Sequence, residues 1–346
     1  MRFIIVITIF FISKSSKKLK GGYVKFSVIK YVAVFLSLSM FFGASQAAYA
    51  IERLHILIPG GAGGGWDTTA RGVGDALARS GLVPRASYEN MSGGDGSKAL
   101  AYLIETADRQ TDTLMVTSTP IVLKSVRNIF PQSYKDLTPV AAVIADYGAF
   151  VVKTGSKYSN WEEVIADFKR DPRNVMVAGG SVIGGMDHVV AAMAFKKSGV
   201  DPKMLRYIPY DAGAKAMVSL LSGEVQLLSS GLSEALALAE QGEVRILAMT
   251  AATRVDHAPD VPTMTEQGVE LVFTNWRGFF GAPGLSADKV QEFQELLSGM
   301  YDTAEWEDIR LNRGWSNLFI SGDEFVVFLS EQEKAMGLLM DELGLR

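Results

Sequence analysis

The sequence predicts an α/β protein built from mostly parallel sheets flanked by helices, and three observations carry that prediction. Short apolar runs alternate with stretches of helical periodicity along most of the chain. Thirty-four glycines punctuate them, as a turn-rich α/β chain requires. Apolar residues fill 48 % of the 346 positions, enough to bury a sizeable core. Taken in order, the runs at 54–58, 86–89, 114–117, 140–145, 150–153, 175–178, 205–209, 225–229, 245–248 and 271–273 read as strands. Helical patterns fall at 67–79, where Ala70, Val73 and Leu77 share a face, and at 97–105, 161–170, 186–197, 214–222 and 233–241. The block from 287–300 through 325–343 is nearly all helix. There is no strict internal repeat and no low-complexity linker.

The first 50 residues stand apart. They hold seven Lys/Arg and no acid, and the apolar stretch from Tyr31 to Phe42 runs into Ala48-Tyr49-Ala50, an A-x-A cleavage pattern. Residues 25–50 therefore read as a secretory signal peptide with Lys25 and Lys30 as its basic start. That apolar run is too short for a membrane span, which needs ~20 residues. A second apolar run, from Phe3 to Ile12, is one more than a signal peptide uses, so residues 1–23 are read as a start-site overcall. The remaining 296 or so residues suit two domains of ~150 each.

Without the leader, 27 basic residues face 38 acidic ones, a balance near −11. That argues against nucleic acid, which calls for a basic face. There is no cysteine, hence no disulfide, thiolate nucleophile or lipid-modified cysteine. His55, His188 and His257 have no metal-ligand spacing, so neither a metal nor a cofactor is expected.

The richest segment is Pro59-Gly60-Gly61-Ala62-Gly63-Gly64-Gly65-Trp66-Asp67, placed between a strand and a helix start. Glycines let backbone approach a ligand, and the unpaired N–H groups of a first helical turn point at it. Four further strand-to-helix turns share the character: 90–97 (with Ser92, Gly93, Gly94 and Asp95), 117–120 (with Ser118 and Thr119), 179–185 (with Gly180, Ser181 and Gly185) and 210–214 (with Tyr210 and Asp211). In open α/β sheets ligands bind at the carboxyl ends of strands, so five such turns predict one shared anion site.

Other glycine-rich and catalytic patterns fail. A dinucleotide G-x-G-x-x-G would need glycine where Trp66 stands, and Glu89 lies later than the ribose-binding acid should. A phosphate-binding loop would need lysine at Trp66. No G-x-S-x-G elbow occurs, and nothing in the spacing selects Asp67, His188 and Ser181 as a triad. Asp67 reads as a helix cap, and His188 as either a ligand donor or a partner for its own turn.

The ordered set Pro59-Gly60-Gly61…Trp66-Asp67…Ala70-Arg71, Glu89-Asn90, Tyr207-Ile208-Pro209-Tyr210, Ala212-Gly213-Ala214, Leu221-Ser222-Gly223-Glu224-Val225, Gly242 to Thr250, Pro259-Asp260-Val261-Pro262-Thr263 and Trp276 to Pro283 resembles the Bug-type extracytoplasmic receptors of tripartite tricarboxylate transporters. The resemblance covers nearly the whole of the chain after the leader. One departure is chemical: the second glycine loop of that family reads N-x-x-G-A-G-G, whereas here Ser92, Asp95 and Ser97 interrupt it. A carboxylate at Asp95 would repel an anion or pair with a cationic part of a ligand.

The resemblance implies a non-enzymatic, two-domain periplasmic binding protein of the Venus-flytrap kind, type II-like. It implies a periplasmic monomer that captures a small di- or tricarboxylate and passes it to two integral membrane subunits. Domain 1 is expected at 51–148 and 273–346, and domain 2 at 149–272, with crossings near Ala149 and Phe273. The expected ligand contacts are Gly60, Gly61, Gly64, Trp66, Asp67, Ser92, Gly93, Gly94, Ser118, Thr119, Gly180, Ser181, Gly185, His188, Tyr210, Asp211 and Arg277. Arg277 either forks onto a ligand carboxylate or pairs with Asp67, Asp211 or another acid to fix the hinge. A sensory module feeding a membrane kinase would use the same site, and a periplasmic enzyme acting on a carboxylate is the remaining alternative.

Overall fold

Strand β1 (Leu54–Ile58) is almost wholly buried, as expected of a strand covered on both faces. The protein is described by a computed structural model over residues 51–128 and 130–345; the predicted signal peptide and the expected start-site overcall lie outside the described residues. From β1 the chain enters α1 (Gly65–Arg79), then β2 (Ala86–Asn90), α2 (Ser97–Glu105), β3 (Thr113–Ser118) and α3 (Thr119–Arg127). The long β4 (Thr138–Lys153) follows, then α4 (Trp161–Arg170), β5 (Met176–Gly179), α5 (Met186–Lys197), β6 (Arg206–Pro209), α6 (Gly213–Ser222), β7 (Leu227–Gly231), α7 (Leu232–Glu240) and β8 (Val244–Met249). The chain closes with β9 (Thr274–Gly281), α8 (Ala287–Tyr301), α9 (Ala304–Asn312), β10 (Ser316–Ser321) and α10 (Gly322–Leu343).

The strands form one curled sheet, in order β2-β1-β3-β9-β4-β7-β5-β6, with β8 and β10 also on β4. Strands joined through a helix are parallel: β1 with β2 and β3, and β5 with β6 and β7. The strands that cross between the halves, β4 and β9, run antiparallel to their neighbours. Each half therefore repeats one plan, three parallel strands in the order second-first-third beside an antiparallel one. No repeat shows in the sequence because the plan is enforced by burial pattern and turns rather than by residue identity.

The two expected strands at 140–145 and 150–153 are one strand. Residues Thr138 to Tyr147 of β4 pair with β9, and Gly148 to Lys153 pair with β7 and β8. The pairing partner changes between Tyr147 and Gly148 without a break in the strand. The expected strand at 271–273 is irregular; β9 begins one residue later and contains Trp276-Arg277-Gly278-Phe279-Phe280. The helices at 119–127 and 304–312 and strand β10 were not among the expected elements.

The core is aromatic in both halves. Phe150, Trp161, Phe195 and Phe168 form a chain of ring contacts with centroids 4.5–5.4 Å apart. Trp276, Phe280 and Phe325 form a second, and Tyr301, Trp306 and Trp315 a third. Each such pair adds ~0.5–1.5 kcal/mol beyond the area it buries. Helix α10 lies against both α3 and α5, so the C-terminal helix ties together elements from the two halves. The described residues pack as one compact unit.

Candidate functional site

Four glycine-bearing turns, first to fourth in chain order at 59–67, 90–97, 179–185 and 210–214, converge with the Ser118-Thr119 turn on one cavity of about 110 Å³ at the carboxyl ends of β1, β2, β3, β5 and β6. Of the expected contacts, Gly60, Gly61, Gly64, Trp66, Ser92, Gly93, Ser118, Gly180, Ser181, Tyr210, Asp211 and Arg277 line it. Asp67, Gly94, Thr119, Gly185 and His188 do not.

The helix starts around this cavity share an unusual feature. Gly64, Gly96, Ser118 and Ala212 precede α1, α2, α3 and α6, all four line the cavity, and none of these helices has a side-chain cap. Ser118 is a good capping residue, but its hydroxyl accepts instead from the Trp66 indole N–H at 2.9 Å. Away from the cavity, α4, α8 and α9 are capped in the ordinary way by Asn160, Ser286 and Thr303. Helices α5, α7 and α10, whose preceding residues do not line the cavity, also lack a side-chain cap. Uncapped starts leave backbone donors and positive helix ends directed at the cavity.

The first and third turns are built alike. Gly63 and Gly184 both take a left-handed conformation, at φ 76° and 78°. The next residues, Gly64 and Gly185, bond back three positions, to Gly61 O and Val182 O. Four residues after each left-handed glycine a side chain accepts its N–H: Asp67 Oδ2 from Gly63 and His188 Nδ1 from Gly184, each at 3.0 Å. Asp67 and His188 therefore hold their own turns, which explains why neither reaches the cavity. Burial, with Arg127 nearby, pulls the His188 imidazole down to about 4, so it stays neutral and can accept. At the position between, the first turn directs Trp66 to the cavity and the third directs Asp187.

Arg277 lines the cavity, yet its guanidinium is already occupied. It is 2 % exposed and pairs with Asp146 Oδ2 at 2.7 Å, and it also donates to Gly65 O at 3.1 Å and Thr69 Oγ1 at 3.2 Å. Gly65 can be nothing larger, since a Cβ there would fall inside the guanidinium. The acid that fixes Arg277 is thus neither Asp67 nor Asp211 but Asp146, on β4. Asp146 also accepts from Ser233 Oγ at 2.6 Å and from the Tyr147 N–H at 2.8 Å.

Sequence reasoning raised Asp95 without counting it among the contacts, and it missed Asp187 and Glu234, which also line the cavity. Asp95 faces the cavity at φ 54°, a strained conformation for aspartate, and burial raises its carboxyl against the opposing pull of Lys124. Lys124 in turn holds the second turn through Gly94 O and Asp95 O at 2.7 Å and Ser97 Oγ at 2.6 Å. Asp187 is pushed up to about 8, first by burial and then by Glu234. Glu234 is itself raised by burial, with Arg277 opposing. Glu234 lies in an ordinary-looking helix and gave no signal; Asp187 directly follows the glycine turn Gly184-Gly185, which could have marked it. Across the cleft mouth, Ser92 Oγ donates to Asp211 Oδ1 at 2.5 Å, joining the second turn to the fourth. Among the described residues no group of three or more His, Asp or Glu is placed to hold a metal ion.

The family model for the tripartite tricarboxylate transporter family receptor matches residues 88–345. The chain belongs to that family. Among curated relatives, BugT of Bordetella pertussis is 28 % identical over 236 residues, 67 % of this chain and 71 % of BugT. Two solved structures share the fold. The periplasmic binding protein BugD superposes with a TM-score of 0.76 at 20 % identity over 85 % of this chain and 98 % of its own. MatC from Rhodopseudomonas palustris, with bound malate, superposes with a TM-score of 0.73 at 18 % identity over 84 % and 99 %. At these identities the likeness of the two structures speaks to the fold alone. This receptor has an α/β periplasmic-binding-protein fold, with its cavity at the carboxyl ends of the parallel strands.

Proposed function

We propose that this receptor captures a small carboxylate-bearing solute in the periplasm, as a monomer, and delivers it to the two integral membrane subunits of a tripartite transporter. The observation that carries the reading is the set of four uncapped helix starts around one cavity. Each helix end favours a negative group by ~0.3–1 kcal/mol, and the free N–H groups supply its hydrogen bonds. Family membership supplies the transport role, and the malate bound to MatC is the kind of ligand such a cavity would take. No nucleophile and base are paired in the cavity, which favours a receptor over an enzyme. The two half-sheets act as the two domains, 51–148 with 273–346 and 149–272, hinged where β4 changes partners between Tyr147 and Gly148.

The test is titration calorimetry of the processed protein against mono-, di- and tricarboxylates, plain and substituted, with Gly61→Val alongside. A Cβ at Gly61 would lie 3.3 Å from Ala212 Cβ and 3.4 Å from Asp211 O, so the valine methyls push the first turn away from the fourth. The expected result is tenfold or greater loss of affinity with an unchanged melting temperature. Equal affinity in the folded variant contradicts ligand capture between these turns.

A further inference from the structure

Resting on that reading, we propose that the solute carries an ammonium or similar cationic group as well as its carboxylate, and that Asp187 and Glu234, with Asp95 beside them, recognise it. The charged side chains that line the cavity are Asp95, Asp187, Asp211, Glu234 and Arg277. The one cation among them is already neutralised by Asp146. Asp211 is held at the rim by Ser92 and, at 3.4 Å, by Lys215. A plain dicarboxylate would therefore meet three inner acids and no free cation, so its second carboxylate gains no counter-charge and is repelled wherever those acids ionise.

Glu234 shows what the site lacks. Its Oε2 accepts from the Gly231 N–H at 3.2 Å and from Ser230 Oγ at 3.3 Å. Its Oε1 is inaccessible to solvent and has no hydrogen-bond partner, although it faces the backbone of Gly213 at the cavity wall. A buried carboxylate oxygen left unpaired is costly, and a donor on the ligand would satisfy it. Asp187, 8 % exposed, sits within electrostatic reach of both Glu234 and Asp95. The cavity is thus bipolar, with backbone donors at the uncapped helix starts and acceptors at this cluster. The acids are not grouped to bind a metal ion, so an organic cation is the fitting occupant.

The test compares matched probes with carbon chains of three to six atoms by titration calorimetry at pH 7: plain mono- and dicarboxylates, their amino-substituted counterparts, and the corresponding alkylamines. Amino-substituted carboxylates should bind at least tenfold more tightly than their plain counterparts. Glu234→Gln and Asp187→Asn, checked for folding by their melting curves, should each shrink that ratio towards one, which a merely structural role would not do. If one variant fails to fold, the other decides. The preferred probe should bind more tightly as pH rises from 6 to 9, since Asp187, facing Glu234, Asp95 and Tyr207, must lose its proton to meet the ammonium. Plain carboxylates binding as tightly as their amino counterparts overturns this inference and leaves the carboxylate reading standing. Alkylamines binding as well as the amino acids overturns the carboxylate reading and keeps the cation site. Failure of every probe overturns both.

Discussion

Asp187 carries a stability consequence that is separable from ligand. Its carboxyl titrates near 4 in an unfolded chain and is pushed up to about 8 in the folded one. A raised acid binds its proton more tightly in the folded state, so its contribution is present below pH 4 and is lost as pH rises through 8. Asp187→Asn should therefore raise the melting temperature of the ligand-free protein at pH 8, with the gain shrinking by pH 5; an equal gain at both would show that Asp187 is not proton-linked. Two neighbouring residues show how far the sequence could be read at this scale. That Asp67 serves its own turn was legible, though as a cap rather than, as found, an acceptor inside α1 for the Gly63 N–H. His188 was not, since a neutral imidazole that accepts from Gly184 looks, in sequence, the same as one that donates to a ligand.

At the scale of elements, the Arg277–Asp146 pair links four of them. Arg277 sits on β9 and reaches Gly65 and Thr69 on α1, while Asp146 sits on β4 and holds Ser233 on α7. Both side chains are buried, and removing one member of such a pair costs ~3–5 kcal/mol because the other charge is stranded. Asp146→Asn and Arg277→Lys should each lower the melting temperature of the ligand-free protein, and a double-mutant cycle should show strong coupling. Full ligand-free stability in Arg277→Lys, with weakened binding, would instead return the guanidinium to the ligand. Most strands and helices were legible from periodicity. Strand β9 was misplaced because Gly278 interrupts its apolar run, while a Cβ at that glycine would collide with Ala141 and Ala142 of β4. The single strand β4 was read as two because Asp146 interrupts its apolar run, and in the fold that side chain is buried in the pair with Arg277.

As a whole, the molecule is one curled sheet folded about β4, with turns from its two halves facing each other across the cavity. The contacts that cross the cleft are slight: Ser92 with Asp211, and Gly61 against Ala212. Ser92→Ala should speed ligand release, measured by stopped-flow dilution, while leaving the melting temperature nearly unchanged; an unaltered release rate would remove this hydrogen bond from the closure. The ligand should favour the closed arrangement by its differential affinity for it. Small-angle scattering of the processed protein, recorded without ligand and at a concentration that calorimetry shows to be saturating, tests this most directly. A smaller radius of gyration with ligand is the predicted result, and superimposable curves at saturation would contradict a receptor that closes around its solute.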